Sequence, residues 1–209
     1  MKKAFIFDFD GTLAETFPVF ELAISAAFKN LGAKMPSMEE IFASFGPCEI
    51  GIFKKFCGSR GDEFFREYIR CTEEVLKTYN LRAFDGMEGV LEDIIKAGYK
   101  TALITGKSKE SLELTLNAIG FGRFFPVRRW GDESGSIKPK NLRDVFAELG
   151  ITASEAYYVG DSVQDVRDCK EVGVDILSAG WADCARIADL QKEGPTAILR
   201  SVGDLRRYI

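Results

Sequence analysis

With 209 residues, 46% of them hydrophobic and 29% charged, the chain is long enough to bury most of the surface its unfolded form exposes, as one domain with an insertion or as two small domains. A formal net charge of −4 leaves no basic footprint for nucleic acid or for an anionic membrane surface, so a small molecule is the expected partner. The absence of histidine is more selective. It excludes Ser-His-Asp and Cys-His catalysis and histidine-based zinc motifs, and leaves the chemistry to carboxylates, lysine, hydroxyls and a hard metal.

The first element is a strand. Ala4, Phe5, Ile6 and Phe7 run without a polar residue into Asp8, and Asp10 follows at a spacing of two before Gly11 ends the run. In an extended chain that spacing puts both carboxylates on one side, roughly 6–7 Å apart. An unpaired charge where a strand leaves a core is costly, so the pair needs a reason. The opening "MKK" resembles a signal peptide, but four apolar residues are far short of its apolar region, and no run approaches the roughly 20 residues of a membrane span. Five cysteines, odd in number and without C-x-x-C spacing, read as reduced thiols. Both observations give a cytoplasmic expectation.

Residues 17 to 82 read as helix. Phe17, Phe20, Ala23, Ile24, Ala27, Phe28 and Leu31 fall at helical spacing with Gly32 beyond them. Ser37 and Glu40 have capping-box spacing. "EIGIFKKFC" and "GDEFFREYIRCTEEVLKTYN" supply two further amphipathic segments, the second offering Phe64, Phe65, Tyr68, Ile69, Val75, Leu76 and Tyr79 to a core. From residue 84 helices alternate with short apolar strands: helix to Gly98, strand "YKTALITG", helix to Gly120, strand "FFPV", helix to Gly150, strand "EAYYVGD", helix "SVQDVRDCKEVG" and strand "VDILSAG". A strand "TAILR" and a small helix begun by Ser201 end the chain. Such alternation predicts a doubly wound α/β parallel sheet covered on both faces. The expected division is a core of residues 1–14 and 83–209 with an all-helical cap of 15–82 inserted just after the paired carboxylates.

Ligands of open parallel sheets bind outside the carboxyl ends of the strands. Asp8 and Asp10, Thr105 and Gly106, and Gly160 and Asp161 stand there, with Asp165 four residues after Asp161 and read as one helical turn further. Three or four carboxylates in one crevice repel one another unless a cation sits among them, and Mg²⁺, which binds through a few carboxylates and keeps room for waters and phosphate, fits. Lys138, with Pro139 suited to a helix start, adds positive charge at a helix N-terminus that favours phosphate.

These residues resemble the haloacid dehalogenase-like hydrolases, in the phosphoglycolate phosphatase-like branch with a helical cap. "DFDGT" at 8–12, Thr105 in "LITG", Lys138 in "IKP" and "GDSVQD" at 160–165 are similar to the family's four motifs, in order, and the resemblance covers essentially the whole chain. It implies a Rossmann-like core and a Mg²⁺-dependent phosphomonoester hydrolase of a small phosphorylated metabolite, monomeric or homodimeric. Asp8 is implied as the nucleophile that becomes an aspartyl phosphate and Asp10 as the acid and base. Thr105 is implied to bind the transferring group with Asp8, Asp10, Phe9, Gly106 and Lys138, and Lys138 also to orient Asp8. The metal would be held by Asp8, the main-chain carbonyl of Asp10, and Asp161, with Asp165 in support, directly or through water. Glu15, where aspartate is frequent, and Asn141, where proline is frequent, are mild departures that bear on subfamily.

Alternatives on the same scaffold are a phosphomutase, although the sugar phosphomutases of the family use a histidine this chain lacks, and a phosphonatase, for which Lys29 or Lys34 would have to serve as a Schiff base. A non-catalytic phosphometabolite-binding protein is a third, against which the presence of both Asp8 and Asp10 argues. Lys54, Lys55, Arg60 and Arg66 are candidates to meet an anionic substrate tail, beside the simpler reading as solvated charges. The loop "SFGPCE" (44–49), broken by Gly-Pro, is the candidate cap segment nearest the crevice.

Overall fold

Strand β1 (Ala4–Phe7) is buried at every residue, and its period of two sends successive side chains to opposite faces of the sheet. The computed structural model describes all 209 residues. Phe5 and Phe7 join one apolar cluster and Ala4 and Ile6 another, so β1 is the partition between two cores. It is hydrogen-bonded in parallel on one side to β2 (Lys100–Ile104) and on the other to β4 (Ala156–Gly160). With β3 (Val127–Arg129), β5 (Asp175–Ala179) and β6 (Ala197–Leu199) the sheet runs in the order β3-β2-β1-β4-β5-β6, every pairing parallel. The order reverses beside β1, which opens a crevice at the carboxyl ends of β1, β2 and β4.

Helices α5 (Met87–Lys96) and α6 (Lys109–Ala118) and the 3-10 turn Val202–Tyr208 cover the Phe5 face, whereas α7 (Lys138–Leu149), α8 (Val163–Val172) and α9 (Ile187–Glu193) cover the other. The expected fold class is therefore the observed one. Two differences have local causes. The strand expected at "FFPV" begins at Val127, three residues later, because Pro126 has no N–H for the ladder and Gly122–Phe124 wind into a 3-10 turn. Helix α9, within a stretch for which no element is expected, is a short seven-residue piece that buries only Leu190.

Between β1 and β2 the chain first forms helices α1 (Phe17–Asn30), α2 (Met38–Phe42), α3 (Glu49–Cys57) and α4 (Gly61–Thr78). Their apolar faces close on a separate cluster that includes Phe20, Phe28, Phe53, Phe64 and Tyr68. Of the residues expected to face inward on α4, Phe64, Phe65 and Tyr68 are buried while Ile69, Val75, Leu76 and Tyr79 are half-buried at the margin. The predicted capping box is present, Ser37 accepting from the Glu40 amide and Glu40 from the Ser37 amide. Two neighbouring connections join this helical insertion to the sheet, bridged at Ala14 and Ala83 and by Phe84 N–H donating to the Leu13 carbonyl (2.9 Å).

Candidate active site

The turn after β1 sets the first two carboxylates. The Phe9 carbonyl accepts from the amides of Thr12 (3.2 Å) and Leu13 (2.9 Å), curling the chain just past the strand. Gly11 has φ +67°, and a Cβ there would lie 2.5 Å from Asp161 Oδ2, so a side chain would be both strained and in collision. Asp8, 8% exposed, accepts at Oδ2 from Lys138 Nζ (3.0 Å) and at Oδ1 from the Phe9 amide (2.7 Å). Asp10 lies apart from it: its Oδ1 accepts from the Thr16 hydroxyl and from Lys107 Nζ (3.0 Å).

Lys138 is the first residue of α7, followed as expected by Pro139. Its ammonium is shared between Asp8 and Asp165, the latter at 2.5 Å. Asp161 and Asp165 are brought together by a different device from the helical turn expected. Asp161 precedes the helix, and Asp165 is the third residue of α8 in a capping box with Ser162. One Asp165 oxygen takes the Ser162 amide (3.1 Å) and hydroxyl (2.7 Å), the other Lys138 and the Tyr158 hydroxyl (3.1 Å). Its acceptor positions are filled.

Thr105 is buried at the end of β2, where its Oγ1 accepts from the Lys107 amide (3.2 Å); it stands just behind the wall that Gly106 and Lys107 form. Phe9 is fully buried, its amide being the part of it that reaches the site. Asp8, Asp10, Gly106, Lys107, Lys138 and Asp161 border a cavity of about 440 Å³, closed on the far side by Phe17 and Phe20 of α1, Ile52 of α3 and Phe45 to Cys48 of the loop between α2 and α3, with Glu49 at the start of α3 reaching back toward Lys107. Lys54, Lys55, Arg60 and Arg66 do not line it, nor do Lys29 and Lys34. Lys54 is paired with Glu133, Lys55 donates to Ser44, and Arg60 pairs with Glu63.

Burial, with Asp165 and Asp10 nearby, pushes the Asp8 carboxyl up to about 7 although Lys138 opposes it. Asp161 is pushed well above the usual carboxylate range by burial and by Asp165 and Asp8. Asp165, despite its burial, is held low by Lys138. Carboxylate oxygens of Asp8, Asp161 and Asp165 lie within 4.8 Å of one another. An all-oxygen donor set of crowded carboxylates, two of them raised in this way, fits a hard divalent cation such as Mg²⁺ and does not fit zinc. Because Asp165 is saturated, Asp8 and Asp161 have the oxygens to offer.

Two charged residues at the site, Lys107 and Glu49, lie outside the set the sequence motifs point to. Lys107 is buried; against that burial, Asp10, Tyr68 and Glu49 hold its ammonium above its ordinary value. Its signal is its place directly after Thr105-Gly106, where a lysine beside an apolar strand end needs an anion. Glu49, expected only as part of a loop, is 5% exposed and accepts from the Ser108 amide (2.6 Å), with Lys107 Nζ 4.0 Å away. Nothing local in the sequence pairs Glu49 with Ser108, 59 positions on.

A model of the haloacid dehalogenase-like hydrolase family matches residues 5–179. A phosphoglycolate phosphatase of Pseudomonas savastanoi is 28% identical over all of this chain and 79% of its own length. The pyrophosphatase PpaX of Bacillus velezensis is 27% identical over 85% of this chain and 83% of its own. Among solved structures, CbbY from Rhodobacter sphaeroides in complex with phosphate superposes with a TM-score of 0.83 at 21% identity, covering 98% of this chain and 96% of that one. The chain belongs to the haloacid dehalogenase-like hydrolases, in their phosphoglycolate phosphatase-like branch, and is a phosphatase.

Proposed function

We propose that the protein is a Mg²⁺-dependent hydrolase of phosphomonoesters of small metabolites, acting through an aspartyl phosphate on Asp8. The observation that carries this reading is the convergence of Asp8, Asp10, Lys138 and Asp161 on one cavity at the carboxyl ends of β1 and β4. Asp8 attacks phosphorus and is held by Lys138, which also balances charge on the transferring group. Asp10, oriented by Thr16 and Lys107, gives a proton to the leaving oxygen and later takes one from water at that same position. Thr105 and the amides of Phe9 and Gly106 bind the phosphoryl oxygens. Asp8, Asp161 and the Asp10 carbonyl would hold the metal, with Asp165 supporting through Lys138 and Ser162. Bound there, Mg²⁺ would offset phosphoryl charge and help align the transfer.

Residues 15–82 act as a cap. The reading is supported by their separate apolar cluster, their two paired connections and the loop 44–49 on the cavity wall. Closure would exclude water while the aspartyl phosphate forms. The five free cysteines support a cytoplasmic place of work. No helix is long and apolar enough to cross a membrane. A phosphonatase reading has no support from Lys29 or Lys34, which lie away from the cavity.

The test is phosphate release from a generic aryl phosphate before and after exhaustive chelation. Activity should fall to background and return with added Mg²⁺. Full activity without divalent metal would overturn the metal-dependent mechanism, and no turnover under any condition would favour a binding protein.

A further inference from the structure

The cavity wall divides into two chemically different halves. Near the strand ends it carries the carboxylates Asp8, Asp10, Glu49, Asp161 and Asp168 against the ammonium groups of Lys107 and Lys138 alone. Both cations are already engaged, Lys138 with Asp8 and Asp165 and Lys107 with Asp10 and, at 4.0 Å, Glu49. A divalent cation and a phosphoryl group would use what remains of that balance. No arginine lines the cavity, and the lysines and arginines of α3 and α4 are turned elsewhere. The half facing the leaving group is apolar: Phe17, Phe20, Phe45, Pro47 and Ile52. Phe45 packs edge-on against Phe20 (5.7 Å between ring centres) and Phe42 (5.3 Å), yet is 46% exposed.

On this basis, and resting on the phosphatase reading above, we propose that the substrate is a phosphomonoester whose leaving alcohol is uncharged and apolar, of the arylalkyl kind. An anionic leaving group, such as a second phosphate or a carboxylate, would be brought against Glu49, Asp10 and Asp168 with no free cation to meet it. One Asp168 oxygen is buried and unpartnered, which adds to the cost of a neighbouring anion. An apolar group instead covers the exposed face of Phe45 and stacks on the Phe20–Phe45 pair. The wall thus sets this chain apart from relatives named for phosphoglycolate and pyrophosphate, since both of those molecules are multiply anionic.

The experiment compares kcat/KM with Mg²⁺ for 2-phenylethyl phosphate, methyl phosphate, 2-phosphoglycolate and pyrophosphate. The arylalkyl ester should exceed each of the other three by about tenfold or more, the scale on which apolar pockets discriminate. Phe45→Ala should shrink the ratio of 2-phenylethyl to methyl phosphate by about tenfold. Phe45 is exposed, so that variant should fold. Preference for 2-phosphoglycolate or pyrophosphate, or equal rates with methyl and 2-phenylethyl phosphate, would overturn the inference while leaving the phosphatase reading intact. Hydrolysis of none of the four would remove both.

Discussion

The crevice at the strand ends and the interior of the helical insertion are both buried, but they are stabilised in opposite ways. In the insertion's apolar cluster the buried side chains are mostly aromatic and aliphatic and pack against one another, as Phe28 and Phe64 do with ring planes at 50° and centres 4.8 Å apart. Each ring removed from water there stabilises by area and needs no partner. In the crevice Asp8 and Asp165 depend on Lys138, and Lys107 depends on Asp10 and Glu49, while Asp161 is pressed by Asp8 and Asp165. Burial of charge is strongly unfavourable unless it is compensated, and here burial together with the surplus of carboxylates raises Asp8 and Asp161. The difference teaches that the insertion tolerates change gradually, whereas the crevice should respond to single atoms.

The sharpest contrast is Asp8→Asn. Volume is kept and one oxygen becomes nitrogen, yet turnover should fall by about four orders of magnitude or more, because the proposed nucleophile is lost. Melting temperature should stay within about 5 °C, since a raised, strained charge is being removed and Lys138 keeps Asp165. Turnover close to that of the parent would require a different nucleophile. Lys138→Met should break the same crevice thermodynamically as well. Asp8 and Asp165 would then lack their shared cation, at about 3–5 kcal/mol, or roughly 10 °C in melting temperature. An unchanged melting point would show that the crevice charges are solvated.

The contrast also explains what could be read in advance. Parallel strands buried on both faces leave continuous apolar runs, so β1, β2, β4 and β5 and the polar residues ending the first three stand out in the chain. In the insertion α1, α3 and α4 each bury one face and so show helical periodicity, while α2 is announced by its capping box. The pairing of Glu49 with Ser108 and of Lys107 with Asp10 is a matter of how the insertion docks and how a loop turns, and no local pattern encodes it. Helix α9 and the start of β3 were hidden by shortness and by Pro126, both weak signals against periodicity.

Gly51 lies on the seam between the regions. It is helical, and a Cβ there would stand 2.4 Å from the Glu133 carbonyl oxygen. Gly51→Ala should leave α3 at least as stable, since alanine is the better helix former by up to about 1 kcal/mol, but push the insertion off its seat. The seat is the Cys48 amide on the Asp132 carbonyl (2.9 Å) and Lys54 on Glu133. Exchange of the Cys48 amide hydrogen should quicken by about tenfold and KM should rise by a few-fold, with the aromatic cluster unmoved. Unchanged exchange at Cys48 would show that residues 132–133 yield rather than the insertion.

The smallest effect belongs to the insertion's own surface, where Glu67 of α4 ties back to α1. Its carboxylate accepts from Asn30 (2.7 Å) and pairs with Arg70 (2.6 Å), and Arg70 and Asn30 together hold it down to about 2 from an ordinary 4.5. A carboxyl depressed in the folded state stabilises above its unfolded value, and that stabilisation fades as pH falls through 4.5 toward 2. Glu67→Gln should therefore lower the melting temperature by about 1–3 °C at neutral pH, the scale of a mostly exposed ion pair in a chain of this size. Melting curves between pH 7 and pH 2 should show the two proteins converging at the acid end. A difference that stays constant across that range would mean that Glu67 acts through packing against α1 rather than through its charge. The insertion would then be held together by shape alone, which would make its contrast with the crevice sharper still.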